Sequence, residues 1–144
     1  MDRPELGVLL SRLRREVLAR ETPILEREGL PMWDYVVLSA LGGGQAPTQA
    51  RLAAATGRDK TRLIANLDHL ESLGLVARSP DPADRRNRIV AITRAGERTL
   101  HRCRAAIASM EDDLLGDLDA SARETFESVL VDLAGRLGPT EALR

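Results

Sequence analysis

Leu6, Leu10, Leu13 and Val17 recur at intervals of four, three and four residues, the spacing that lines up side chains on one face of an α-helix. This pattern predicts a first helix from about Pro4 to Arg27. Pro23 should kink or briefly break it, because proline lacks the donor the helical ladder needs. Gly29 stops it, and Leu30-Pro31 opens a second helix with proline near its first turn. Trp33, Val36, Val37, Ala40 and Leu41 form the apolar face of that helix, and Gly42-Gly43-Gly44 ends it. Thr48 is placed to cap a short third helix, QARLAAAT, with Leu52 and Ala55 turned inward and Gly57 as its stop. Asp59 is placed to cap a fourth, DKTRLIANLDHLESLG, which Gly74 ends. Its apolar face is Leu63, Ile64, Leu67 and Leu70, while Lys60, Thr61, Arg62, Ala65, Asn66 and His69 lie largely on other faces.

After Gly74 the period changes. Val76 to Ser79 and Arg88 to Thr93 read as two strands, separated by PDPADRRN, a segment of turn formers and arginines. Two short helices joined by a glycine turn make a helix-turn-helix, and an arginine-tipped hairpin directly after the second makes it winged. Thr93 can cap a long fifth helix to about Gly116, on which Leu100, Cys103, Ile107, Met110 and Leu114 step three, four, three and four, a heptad-like seam. Asp119 or Ser121 can cap a sixth, with Phe126, Leu130, Leu133 and Leu137 at the same spacing. Gly138-Pro139 ends it, leaving 139–144 as a loose tail. The predicted fold is mainly α, an α+β winged helix of about six helices and a two-stranded wing.

Composition narrows the function classes. The 144 residues suit one domain that needs neither disulfide nor structural metal. One cysteine and two histidines, His69 and His101, do not form a zinc pattern, and no cofactor is expected. Charges recur every few residues from the N-terminus on, so neither a signal peptide nor a membrane span fits, and a cytoplasmic protein is expected. No nucleophile–base pair or phosphate loop supports an enzyme; the triple glycine is not followed by Lys-Ser or Lys-Thr. The net charge of -1 conceals an asymmetry. Between Gln45 and Arg104 twelve basic residues face six acidic ones, whereas the flanks carry nine against sixteen. A basic nucleic-acid-facing module on an acidic scaffold has this distribution.

The helix pair QARLAAATGRDKTRLIANLDHLESLGLV, the wing PDPADRRNRIVAIT and the following RAGERTL resemble the MarR (multiple antibiotic resistance regulator) family of bacterial transcription factors. The wing carries the family's D-x-R pattern as Asp84 and Arg86, with Ile92-Thr93 where the family has Leu-Thr. The resemblance implies a homodimer, most simply a repressor, that binds a pseudo-palindromic operator in double-stranded DNA. It implies a helical dimerisation region from 1–30 and 94–138 and a winged module from 32–93. The interface residues would be Leu6, Leu10, Leu13, Val17, Ile107, Met110, Leu114, Phe126, Leu130 and Leu133.

The fourth helix would enter a major groove with Arg58, Lys60, Thr61, Arg62, Ala65 and Asn66, Arg62 suited to guanine and Asn66 to adenine. Thr48 and Gln49 would position a phosphate. Carried over from the family, Arg86 is the minor-groove residue and Asp84 its organiser, though Asp84 also reads as a plain turn residue. Arg85 and Arg88 are candidate phosphate contacts, and Arg88 alternatively faces the scaffold. The family also holds small aromatic or phenolic effectors near the second helix, which makes Trp33 and Val36 candidate cleft residues, although a large apolar ring is more often a core residue. Cys103, on an apolar seam, reads as packing. The rival reading is a winged-helix module for protein contacts.

Overall fold

The computed structural model describes residues 2–137; the tail expected at 139–144 lies outside them. Six helices and one hairpin follow in order: α1 (Leu6–Arg27), α2 (Met32–Ala40), α3 (Gln49–Thr56), α4 (Lys60–Ser72), β1 (Val76–Pro80), β2 (Arg88–Ile92), α5 (Arg94–Leu114) and α6 (Ala120–Arg136). Four helices start where a short polar side chain meets an orphan amide. The side chains of Thr48, Asp59, Thr93 and Asp119 accept from the backbone N–H of Arg51, Arg62, Gly96 and Ala122 at 2.8 to 3.2 Å. Each such cap contributes about 0.5–2 kcal/mol. Asp119 is thus the cap of α6.

α1 runs through Pro23 without a break. The carbonyl of Ala19, which loses the Pro23 donor, belongs to an exposed residue that water can serve, and the Thr22 hydroxyl donates to the neighbouring Leu18 carbonyl at 2.8 Å. On α3, Leu52 is buried as expected, whereas Ala55 is exposed and Thr56 is buried in its place.

The core is one apolar cluster beneath α2 and α4, with Val37, Leu38, Leu63, Leu67 and Val90 fully enclosed. β1 and β2 pair antiparallel from Val76 opposite Ile92 to Pro80 opposite Arg88. The segment before α3 joins them: the Val90 N–H donates to the Pro47 carbonyl at 2.9 Å, and Thr48 bridges to Ile89. The wing is therefore tied to the helix-turn-helix from both ends.

α5 lies across α1 and α2, and this alters one expectation. Ile107 and Met110, assigned above to a dimer interface, are buried in the chain's own core with Leu25 and Cys103, and Leu114 packs against that cluster. A three-four seam looks the same in sequence whether its partner is another chain or another helix of the same one. α6 is the opposite case. None of its residues is buried, and Val129, Leu130, Val131 and Leu133 stand exposed, as do Leu6, Val8, Leu9 and Leu10 on the first half of α1. Leu13, Val17 and Phe126 are half-buried. An ion pair between Arg123 and Asp112, 2.7 Å, ties α6 to the end of α5.

The corner that joins wing to scaffold is held by backbone. Thr93 N–H donates to Leu75 O at 3.0 Å and its hydroxyl to Gly74 O at 2.6 Å. Gly96 sits against this corner so closely that a Cβ would enter the van der Waals shell of the Leu75 carbonyl oxygen. Gly96→Ala should therefore destabilise the fold by about 1–3 kcal/mol, the usual cost of overpacking, as read from urea unfolding; unchanged stability would show that α5 can shift off the corner freely.

Candidate nucleic-acid interface

Gly57, at φ 68°, ends α3 in the left-handed conformation that only glycine adopts without strain. The chain then turns through Arg58 to Asp59, whose Oδ1 caps α4 and whose Oδ2 lies 3.4 Å from the Arg62 Nε. Beyond the cap, Lys60, Thr61, Arg62 and Ala65 are exposed on the side of α4 away from Leu63, Leu67 and Leu70. This face meets solvent at the helix end where partial positive charge accumulates. Thr48 and Gln49 are half-buried at the start of α3, with the Thr48 hydroxyl occupied in capping.

Asn66 is not part of that face. It is 9% exposed, its Nδ2 donates to Asp34 Oδ1 at 2.6 Å, and its Oδ1 accepts from Arg58 Nε at 3.1 Å. Both ends of the amide are committed within the chain, which corrects its expected role at an adenine edge. The cause is Asp34, a carboxylate on α2 that is 2% exposed and so must find donors. Its second oxygen accepts from His69 Nδ1, also on α4. Asp34 escaped the sequence reading, although an acid within the apolar run Met-Trp-Asp-Tyr-Val-Val is itself a sign of a buried polar pair.

Trp33 is half-buried on α2. Its ring is covered by the Arg58 guanidinium, Cζ 4.2 Å from the ring centroid. A cavity of about 340 Å³ next to it in sequence is walled by residues such as Thr22 and Leu25 of α1, Leu30 of the α1–α2 turn and Met32 at the start of α2, with neither Trp33 nor Val36 in the wall.

In the wing, residues 81–87 close the hairpin through two side-chain turns. Asp81 Oδ1 accepts from Ala83 N–H at 2.9 Å, and Asp84 Oδ1 accepts from Arg86 N–H at 3.1 Å. Asp84 is thus both a turn residue and the group that orients the backbone of Arg86, and the two sequence readings of it describe one geometry. Arg85, Arg86 and Arg88 are exposed.

Other basic residues of the central segment are engaged locally. Arg78, on β1, pairs with Asp68 at 2.5 Å and Glu71 at 3.0 Å, pinning the wing to α4 and holding the Glu71 carboxyl below its ordinary pKa. Arg102 forks onto Glu28 at 2.9 and 3.0 Å and lowers that carboxyl in the same way. Arg104 reaches the Ser39 hydroxyl at 3.3 Å. Among the described residues, the cations left without an acidic partner include Lys60 on α4, Arg85, Arg86 and Arg88 on the wing, and Arg58 between α3 and α4. Cys103 is buried, and burial, reinforced by Glu28, pushes its thiol above the usual pKa, which disfavours the reactive thiolate. Among the described residues no His, Cys, Asp and Glu cluster could hold a metal ion, and no helix is long and apolar enough to cross a membrane.

Comparison with known proteins agrees with this geometry. The sequence model of the MarR family matches residues 28–87, the span from the end of α1 to the wing tip. The transcriptional regulator HosA of Escherichia coli O111:H- is 34% identical over 92 residues, 64% of this chain and 68% of that protein. The HTH-type transcriptional repressor NicR of Pseudomonas putida is 30% identical over 115 residues, 77% of this chain and 73% of that protein. Among solved structures, the transcriptional repressor CouR bound to a 23-mer DNA duplex superposes with a TM-score of 0.80 at 30% identity, covering 90% of this chain and 92% of that one. CouR of Rhodococcus jostii RHA1 bound to p-coumaroyl-CoA gives 0.74 at 26% identity, covering 90% and 91%. With its six helices, its wing and these relatives, the chain belongs to the MarR family of winged helix-turn-helix transcription regulators.

Proposed function

We propose that the chain acts as a homodimeric repressor that lays α4 of each copy in a major groove and each wing along the adjacent minor groove of a pseudo-palindromic operator. The observation that carries this reading is the coincidence of an exposed polar face, Lys60, Thr61, Arg62 and Ala65, with exposed arginines at a wing tip oriented by Asp84. Arg62 would read a base edge, Arg86 the narrow minor groove, and Arg85 and Arg88 phosphates. The relatives that are transcriptional repressors, one of them bound to duplex DNA, support it.

The second copy would cover the apolar surface that a single chain leaves open, the first half of α1 and the length of α6. The dimerisation region is then 1–30 with 94–138, from which the inner face of α5 is withdrawn, and 32–93 is the winged module. A small aromatic or phenolic effector that binds one dimer conformation better than the other would release the operator; the p-coumaroyl-CoA held by CouR is the support for that part.

Selection from a random duplex library, followed by a salt series, tests the reading. A palindromic motif should be enriched, and log affinity should fall with log salt by about 0.9 per phosphate neutralised. A chain that enriches nothing and shows no salt dependence would favour the protein-contact module instead. Arg86→Ala should weaken operator binding by about 1.5–3 kcal/mol per wing, the worth of charge-assisted hydrogen bonds, with no change in melting temperature; undiminished affinity would remove the wing from the mechanism. Leu133→Asp on α6 should yield monomers in sedimentation equilibrium while retaining helical content, whereas a dimeric variant would place the interface elsewhere.

A further inference from the structure

Arg58 is a half-buried cation that no carboxylate neutralises among the described residues, yet its side chain is fixed from two directions. The Trp33 ring supports the guanidinium plane at 4.2 Å, and Nε–H donates to Asn66 Oδ1 at 3.1 Å. That acceptor cannot rotate away, because the other end of the amide donates to buried Asp34 at 2.6 Å. Nε and the ring face are thus used within the chain, while Nη1 and Nη2 have no acceptor among the described residues. A long flexible side chain held in one orientation with its terminal donors unmatched is prepared for an anion outside the chain, and a planar guanidinium fork suits phosphate oxygens.

Position identifies the anion. Arg58 lies between the left-handed Gly57 and the cap Asp59, at the end of α4 that leads into the groove. It lies on the flank of α4 that carries Asn66, beside the outward face that carries Thr61 and Ala65. Phosphates border a major groove and base edges floor it. We propose that Trp33, with Asn66 locked by Asp34, is a seat that aims Arg58 at a backbone phosphate of duplex DNA, so that Trp33 is a positioning residue for DNA binding. This rests on the DNA-binding reading above. It assigns to Trp33 and Asn66 one shared role, distinct from both the effector cleft and the adenine contact.

The test uses the full chain and a mixed-sequence duplex, because a phosphate contact is independent of sequence. Arg58→Ala should reduce the slope of log affinity against log salt by about 0.9 per subunit, about 1.8 per dimer. Trp33→Ala should lose a similar amount through Arg58, Trp33→Phe should recover it, and the Trp33→Ala/Arg58→Ala double variant should lose no more than Arg58→Ala alone. Trp33 is the single tryptophan, so its emission reports the seat in the otherwise unaltered fold. Adding duplex should change the emission of the unaltered protein and leave that of Arg58→Ala unchanged. A full slope in Arg58→Ala overturns the phosphate contact. A reduced slope in Arg58→Ala with a full slope in a folded Trp33→Ala overturns the seat, and so does an emission response that persists without Arg58. No salt-dependent binding by the unaltered chain overturns the DNA reading, and this contact with it.

Discussion

A carboxylate removed from water is costly unless donors meet it, and Asp34 is met by two side chains of α4, Asn66 and His69. This one requirement settles how the fourth helix lies on the second. Leu63, Leu67 and Leu70 supply most of the burial, but apolar contacts tolerate sliding and rotation. A pair of directed bonds to a single buried acid tolerates neither. The consequence appears on the far side of the helix, where Thr61, Arg62 and Ala65 face outward, and at its start, where Arg58 is held by the same network. The outward face of α4 is thus oriented by polar groups that lie behind it.

The wing is positioned by a second set of constraints that converges on α4. Arg78 clamps β1 to Asp68 and Glu71, the Pro47 carbonyl pairs with Val90, and the Leu75 carbonyl is wedged between Thr93 and Gly96. Helix and wing are therefore fastened to each other at three places. α5 is anchored in the core by Ile107 and Met110, whereas α6 and the first half of α1 offer apolar surface that their own chain does not cover.

Much of this was legible in the sequence, and for identifiable reasons. Caps and stops are local chemistry, so Thr48, Asp59, Thr93, Gly57 and Gly74 fall where the pattern predicts them. The hairpin was legible because period and turn residues change together between Gly74 and Thr93. What periodicity could not convey was partnership. The α5 seam served the chain's own core, Pro23 was absorbed where water can replace a lost donor, and Asn66 looked like a solvated polar residue because its partner lies 32 positions away on another helix. Arg78 and Arg102 add to the basic count of the central segment, but in the fold each is paired with an acid. Except at Pro23, the missing information was a long-range contact, which the spacing of residues along one helix does not encode.

On the proposed function, α4 with its preceding turn and the wing tip form one DNA-facing surface while α6 belongs to the scaffold. Hydrogen–deuterium exchange of the unaltered chain, with and without a duplex carrying its selected operator, addresses it most directly. The account predicts slowed exchange across residues 58–66 and 81–88 together, with α6 unchanged by the duplex. Slowing confined to α6 or the first half of α1, with the α4 and wing amides unaffected, would contradict it.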